Sequence, residues 1–499
     1  MTTLSDKHDD ETTHSNKEED VEIVETGKTT TLNIIDKPQN NDISPNAWRI
    51  AMIELINQTP IAAVGARGEE WKIRKPSAEI WEAKPEAYKP KRLKIGPTYQ
   101  TLEPSHANDL KARFMKEFMT RCNIRAVQEV IDVVASHQNK KLAEIYVPQN
   151  RHTGFDIQWL DLVVTIDTIF IVEFLDQCYQ SRTLRKSVLY ANNMEHSFML
   201  SVERDLLVMG NQIPISYVVH VWNTYLKDYK VDCETAVRDF IVHRNPFFFI
   251  RKARTRFIGF LDSEGIKLTE KANTLLHSLY LTCTLHAEPN SRMSAGEESH
   301  SEEHRTVNMV GVETSKEEFV RLPTASELRK VRISFKACEG NLSVIKYDKR
   351  TRRLHLPKIA VLGSTEDMLR NLTALEISHS YGTAFSMYGV IMDQLIHTQE
   401  DLEILEKAKV IENHLETGRR LIDMWKHTCI NKRYDPRTGS MVDDIVADHS
   451  STWHRWLVEF CDRFCSRPWY TTSFFAAFIL LIATILQTVF TILPYLNPK

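Results

Sequence analysis

The apolar positions along the chain repeat mainly with helical spacing. Trp48, Met52, Leu55 and Ile56 form one stripe behind Ser44 and Pro45, a cap followed by a first-turn proline. From Ser105 to Ala143, Phe114, Phe118, Ile124, Val127, Val130, Ile131 and Val134 continue the pattern. Further helices are expected near Met194–Val208, Pro214–Tyr229, Cys233–Val242, Leu268–His286, Met387–Ile396, Asp401–Val410 and Gly418–Cys429, with another beginning after Ser364. Trp71 to Pro97 is punctuated by Pro76, Pro85, Pro90 and Pro97 and reads as extended. The period changes once. Val331–Lys336, Leu342–Tyr347 and Arg353–Leu356 alternate, which predicts three short strands with polar turns.

Two stretches are apolar almost throughout. Trp159 to Leu175 contains Asp161, Asp167 and Glu173, and three acids make bilayer insertion expensive, so it reads as a buried core helix. The two aspartates lie six residues apart, on different helix faces, and suit caps or ion pairs. Phe474 to Leu493 is twenty residues without a charge, about 30 Å of helix, enough to cross the hydrocarbon core. Trp469 and Tyr470 at one edge and Tyr495 at the other resemble an aromatic belt, and Pro468 and Pro494 bracket the segment. Gln487, near the middle, suits a hydrogen bond to another helix in the membrane. This reads as a single C-terminal span, a tail anchor in the plasma membrane or an endomembrane.

The ends differ in character. Residues 1–40 hold ten Asp/Glu and four Lys/Arg and no aromatic residue, so they cannot bury enough surface to fold. The expected organisation is therefore a disordered acidic tail over 1–43, a mainly helical part over 44–287, and an acidic, Ser-rich loop over 288–318. A β-hairpin with further helices over 319–467 and the membrane helix over 474–493 follow. The fold class is mostly α (α+β), a helical body with a small antiparallel β element and one C-terminal transmembrane helix.

Charge and cysteine narrow the function classes. The 499 residues carry 63 Lys+Arg and 66 Asp+Glu, a net of −3, which offers no bulk attraction for nucleic acid. Mean hydropathy is −0.33, which excludes a polytopic membrane protein. The eight cysteines are scattered with no CxxC pair, giving neither a disulfide framework nor a zinc site. Met1 to Gln39 lacks the apolar segment of a signal peptide. Arg463 and Arg467 before the span, with Lys499 alone after it, favour a cytosolic bulk. Sequons at Asn57, Asn341 and Asn371 would matter if the bulk faced outward.

Phosphate loops, dinucleotide turns, HExxH and nucleophile elbows are absent from the sequence, and no cofactor or metal is expected. Three basic clusters stand out: Lys89, Lys91, Arg92 and Lys94; Arg251, Lys252, Arg254 and Arg256; and Lys346, Lys349, Arg350, Arg352 and Arg353. Their readings are solvated surface or, for the hairpin cluster above all, contact with headgroups or a partner. Asn211 in a turn, Pro214 opening a helix and Gly210 at positive φ would make Asn211-Gln212-Ile213-Pro214 a helix–helix joint.

Six motifs in order resemble the plant "domain of unknown function 247" family of membrane-anchored proteins. They are Ile95-Gly96-Pro97-Thr98-Tyr99-Gln100, the Asp167–Ile171 segment, and Asp205-Leu206-Leu207 with Asn211-Gln212-Ile213-Pro214. Pro323–Leu328, Asn371–Glu376, and Pro468-Trp469 with Gln487-Thr488 complete the series. The chain departs from the pattern at Tyr99 and Gln100, where the family has paired histidines, and at Gly210, where it has Glu. The resemblance implies a plant single-pass membrane protein without established catalytic residues, and some grass members are associated with pollen-side self-incompatibility. Three readings follow: a non-enzymatic recognition or signalling protein with an unidentified protein partner, a membrane-tethered hydrolase or transferase, or a lipid-surface scaffold.

Overall fold

The computed structural model describes residues 71–100, 106–137, 142–146, 157–183, 196–227, 229, 231–285, 321–428, 436–451 and 468–496, all within one compact unit, Glu70–Lys499. The acidic tail, the stripe at Trp48–Ile56, Asn57, the 288–318 loop and Cys429, Cys461 and Cys465 lie outside the described residues.

Among the described residues fourteen helices have eight residues or more. They are α1 (His106–Arg121), α2 (Val127–Ser136), α3 (Ile157–Thr183), α4 (His196–Asp205), α5 (Ile215–Tyr225), α6 (Cys233–Arg244), α7 (Arg251–Ser263), α8 (Leu275–Thr284), α9 (Thr365–His379), α10 (Ala384–Leu395), α11 (Gln399–Lys407), α12 (Gly418–Thr428), α13 (Pro436–Ser450) and α14 (Pro468–Leu496). Helix α3 is the hub, packed against α1, α2, α5 and α6. Val164, Ile169, Phe170, Phe174 and Leu175 are buried, so this apolar segment is a core helix. Three of its acids pair with cations on α1. Lys111 pairs with Asp167, and Arg121 reaches Glu173 and Asp176, each at 2.5 Å.

Several boundaries follow local chemistry that hydrophobic spacing does not carry. The expected Ser105–Ala143 helix breaks at Asn123, which takes φ +54° while the Ile124 N–H reaches back to the Met119 carbonyl. Leu268–His286 divides because Thr274 caps a new helix, its hydroxyl accepting from His277 N–H. The proline-rich stretch holds two short helices, Ala78–Ala83 and Pro85–Tyr88, since Pro85 sits at a first helical position where its missing N–H costs nothing. Pro494 does not end the membrane helix but lies within its last turn.

The β element differs from the expected antiparallel one. Strands β2 (Lys346–Asp348) and β3 (Arg353–Pro357) form the antiparallel hairpin, but β1 (Ser334–Cys338) joins β3 in parallel. Leu342–Val344, expected within a strand, is a 3-10 turn whose crossover lets β1 and β3 run the same way. A second parallel pair joins β4 (Ile359–Val361) to β5 (Ile411–Asn413). Residues on both sides of the 288–318 loop contribute to one hydrophobic core.

Helix α14 carries an apolar stretch over Thr472–Ile492 with mean hydropathy 2.3 and none of it buried against protein. Phe475, Leu480, Leu481 and Phe490 are exposed, as lipid-facing side chains are. Thr484, Thr488 and Thr491 donate to carbonyls four residues back, so their hydroxyls are satisfied within the helix. This is the C-terminal membrane-spanning helix, the one helix among the described residues long and apolar enough to span, and Trp469, Tyr470, Phe474, Gln487, Leu493 and Tyr495 all lie in it.

Glu173 gives the body a pH dependence. Burial, opposed in part by Arg121, raises its carboxyl from 4.5 to about 7. A folded value above the unfolded one means that its contribution is fully present below 4.5 and lost as pH rises through about 7. Glu173→Gln is expected to remove that slope, read as midpoints of thermal unfolding between pH 4 and 8; an unchanged slope would show that Glu173 titrates normally.

Candidate functional site

Family-pattern residues from Ile95–Gln100, Asp167, Asp205–Pro214 and Asn371 converge on a buried polar junction where segment 89–100, the α4–α5 connection and α9 meet, whereas Pro323–Leu328 and Pro468-Trp469 lie elsewhere. Asp205, at the end of α4, is fully buried. Its carboxylate accepts from the backbone N–H groups of Lys91 (2.9 Å), Arg92 (2.6 Å) and Leu93 (2.9 Å) and from Arg204 Nη1 (2.8 Å). The first basic cluster thus docks through its backbone. Asn211 Oδ1 accepts from Ile95 N–H, and its Nδ2 donates to the carbonyls of Leu93 and Asp205. Gln212 donates to the Leu206 and Val208 carbonyls and accepts from Leu276 N–H on α8. Asn371 on α9 accepts from Met209 N–H and donates to the Ala87 and Asp367 carbonyls.

The glycines are required by geometry. Gly96 has φ +64°, and a Cβ there would lie 2.7 Å from the Gln212 carbonyl oxygen. Its N–H donates to Asp167 Oδ2 at 2.9 Å. Gly210 has φ +79° and faces the Arg74 carbonyl, so the position that departs from the family's Glu is a turn favouring glycine. Pro214 occupies the N-cap position of α5. The other two departures are built in as well. Tyr99 hydroxyl donates to the Tyr88 carbonyl at 3.0 Å, and Gln100 donates to the Lys94 carbonyl and Asp167. Pro97 opens the 3-10 turn that carries them. Glu376, also fully buried, accepts from Phe385 N–H, Ser386 N–H and hydroxyl, and Tyr280 hydroxyl, fixing the start of α10.

One wall of the junction lines a cleft of about 670 Å³ between α4, the α6–α7 turn and the start of α9. Lys91, Arg204, Arg244 and Arg254 line it with Glu203, Asp367, His243 and Thr365. Each carboxylate is held by two cations: Glu203 by Arg182 (2.8 Å) and Arg244 (2.5 Å), Asp367 by Arg204 (2.8 Å) and Lys91 (3.4 Å). The first two basic clusters each send one cation here, Lys91 and Arg254. Sequence reasoning missed Arg204, Arg244, Glu203 and Asp367, which come from three separated segments with no shared motif. Among the described residues no group of three or more His, Cys, Asp or Glu is placed to hold a metal.

The hairpin cluster is divided. Lys349 pairs with Asp444 (2.6 Å), and Arg352 donates to the Asp448 carbonyl (3.0 Å), both on α13. Lys346, Arg350 and Arg353 are exposed. Two sequons are closed: Asn341 donates to the Thr282 and Leu285 carbonyls, and Asn371 is spent in the junction, each 1 % exposed. Peptides containing Asn341 and Asn371 are expected to be unglycosylated in protein purified from plant cells, by mass spectrometry; a glycan on either would contradict this packing.

A mostly helical body knitted by buried polar motifs and followed by one membrane span defines a class of single-pass membrane-anchored proteins. The chain belongs to the family DUF247, described as "Plant protein of unknown function", which matches residues 73–483. It is similar to two Arabidopsis thaliana proteins. Identity to the putative UPF0481 protein At3g02645 is 22 % over 471 residues, covering 81 % of this chain and 87 % of that protein. Identity to the UPF0481 protein At3g47200 is 21 % over 437 residues, covering 83 % and 85 %. No solved structure matches the chain.

Proposed function

We propose that this is a non-enzymatic, membrane-anchored recognition or signalling protein, and that its setting is pollen-side self-incompatibility in a grass. The observation that carries the non-enzymatic reading is the use made of the motif residues. Asp205, Asn211, Gln212, Asn371 and Glu376 spend their hydrogen-bonding capacity on the chain's own backbone, holding a surface in shape. The two carboxylates of the cleft are likewise engaged by cations. The pollination setting rests on the grass members of the family. Disrupting the gene in pollen of a self-incompatible grass is the test: self pollen tubes should then grow through the stigma, and tubes that still arrest would sink this setting.

The second reading is a membrane-tethered hydrolase or transferase. The observation that favours it is His243 in the cleft, with Nδ1 2.8 Å from the Asp239 carbonyl oxygen and 3.3 Å from its Oδ1. Turnover of ester or phosphoester substrates by purified full chain, abolished by His243→Ala, would replace the first reading with this one.

A further inference from the structure

We propose that the solvent face of the β1–β3–β2 sheet is a docking surface for an anionic bilayer, with Lys336, Lys346 and Arg353 holding the headgroups of acidic phospholipids. The strand register makes this face. Lys336, His355 and Lys346 stand opposite one another in one row across the three strands. Arg353 is two residues from His355 and therefore on the same side. Lys336 and Lys346 flank His355 from the two outer strands, so the row presents two cations on one side of the sheet. Asp348, the acid opposite Arg353, spends its carboxylate on the hairpin turn, accepting from Arg350 N–H, Thr351 N–H and Thr351 hydroxyl.

The sheet cannot turn this face inward. Leu354 and Leu356 on its other side are fully buried, and Phe335, Ala337 and Tyr347 pack against the core. His355 reports the field on the outer side: burial lowers its pKa first, and Lys336 and Lys346 lower it further. Tyr347, the aromatic residue of the hairpin, is turned away to Asp448, so the face offers no stacking platform for bases.

Connectivity supplies the membrane. Tyr347, Lys349 and Arg352 clamp the hairpin onto α13. That helix ends at Ser450 and the span begins at Pro468, a connection that extends at most roughly 60 Å. The face is thus tethered within reach of a bilayer, where each cation near an anionic surface raises occupancy about fivefold, and three about 100-fold. The anionic leaflet of a cell membrane is the cytoplasmic one, which places the bulk on that side. This inference needs the span but not the recognition reading.

The test uses full-length protein reconstituted in vesicles of phosphatidylcholine, with or without 30 mol % phosphatidylserine. A fluorophore on a single unnatural residue at Ser334, exposed at the edge of the face, reports energy transfer to labelled lipid. Transfer should rise with phosphatidylserine and fall to the phosphatidylcholine value at 1 M salt and in Lys336→Glu/Lys346→Glu/Arg353→Glu. Arg251→Glu/Lys252→Glu, a charge change on α7, should leave it unchanged. Transfer indifferent to lipid charge, or equally lowered by both variants, would overturn the proposal. A rise that appears only after residues 1–40 are deleted would also overturn it, assigning the face to the acidic N-terminal segment.

Discussion

Asp205→Ala is expected to destabilise the folded body by about 3–5 kcal/mol, the cost of breaking a buried, hydrogen-bonded charge. The carboxylate satisfies three successive backbone N–H groups, of Lys91, Arg92 and Leu93, and Arg204 besides. A buried donor left without a partner costs about 1–3 kcal/mol. Alanine leaves the buried Leu93 N–H and its two part-buried neighbours without that acceptor, and segment 89–95 loses its attachment to α4. Asp205→Asn keeps one acceptor oxygen and should cost less. Denaturant titration of the detergent-solubilised chain measures both. An alanine variant within 1 kcal/mol of wild type, on the scale of an ordinary surface substitution, would mean that the junction is held by packing alone.

Lys111→Met should be comparably severe, about 3–5 kcal/mol at pH 8, because it strands Asp167 in the core. Both partners are almost wholly buried, and the Lys111 ammonium also donates to the Lys94 carbonyl at 2.5 Å. Burial raises the Asp167 carboxyl, and Lys111 is the strongest of the groups opposing that rise. Without the lysine the folded pKa climbs further above the unfolded one. Stability tied to such an acid is present at low pH and lost as pH rises through its folded pKa. The deficit of Lys111→Met should therefore shrink on acidification toward pH 5. Asp167→Asn added to the variant should recover part of the loss at pH 8. A deficit independent of pH would show that Lys111 acts through its alkyl stem instead.

These variants bear on function through the surface they support. The junction ties segment 89–100 and the α4–α5 turn to α9, and Glu376 ties α9 to α8 and α10. Loss of abundance after either substitution would follow from unfolding and would say nothing of a binding role.

Local signals were legible before any tertiary contact was known. The uncharged run Phe474–Leu493 declared a span through length alone, and three acids marked Trp159–Leu175 as a core helix. Gly210 and Pro214 read as a helix–helix joint because positive φ and a missing N–H are properties of single residues. The motif order Ile95–Gln100, Asp205–Pro214 and Asn371–Glu376 pointed to the family, but not to the fact that these segments meet.

Only the tertiary structure decided the partners. Asp205 pairs with backbone more than 110 residues away, and such a contact leaves no periodic trace in either segment. The parallel pairing of β1 with β3 depended on a crossover through Leu342–Val344, while alternation reports which face a strand buries and not its direction. The same holds for charge. Lys349 and Arg352 looked equivalent to Lys346 and Arg353 until α13 took the first two and left the others to solvent. Residue type and spacing thus determined the helices, the joint and the span, which are local. Which cations stay free, which acids are paired and which strands run together depended on contacts between distant segments, set when the core closes.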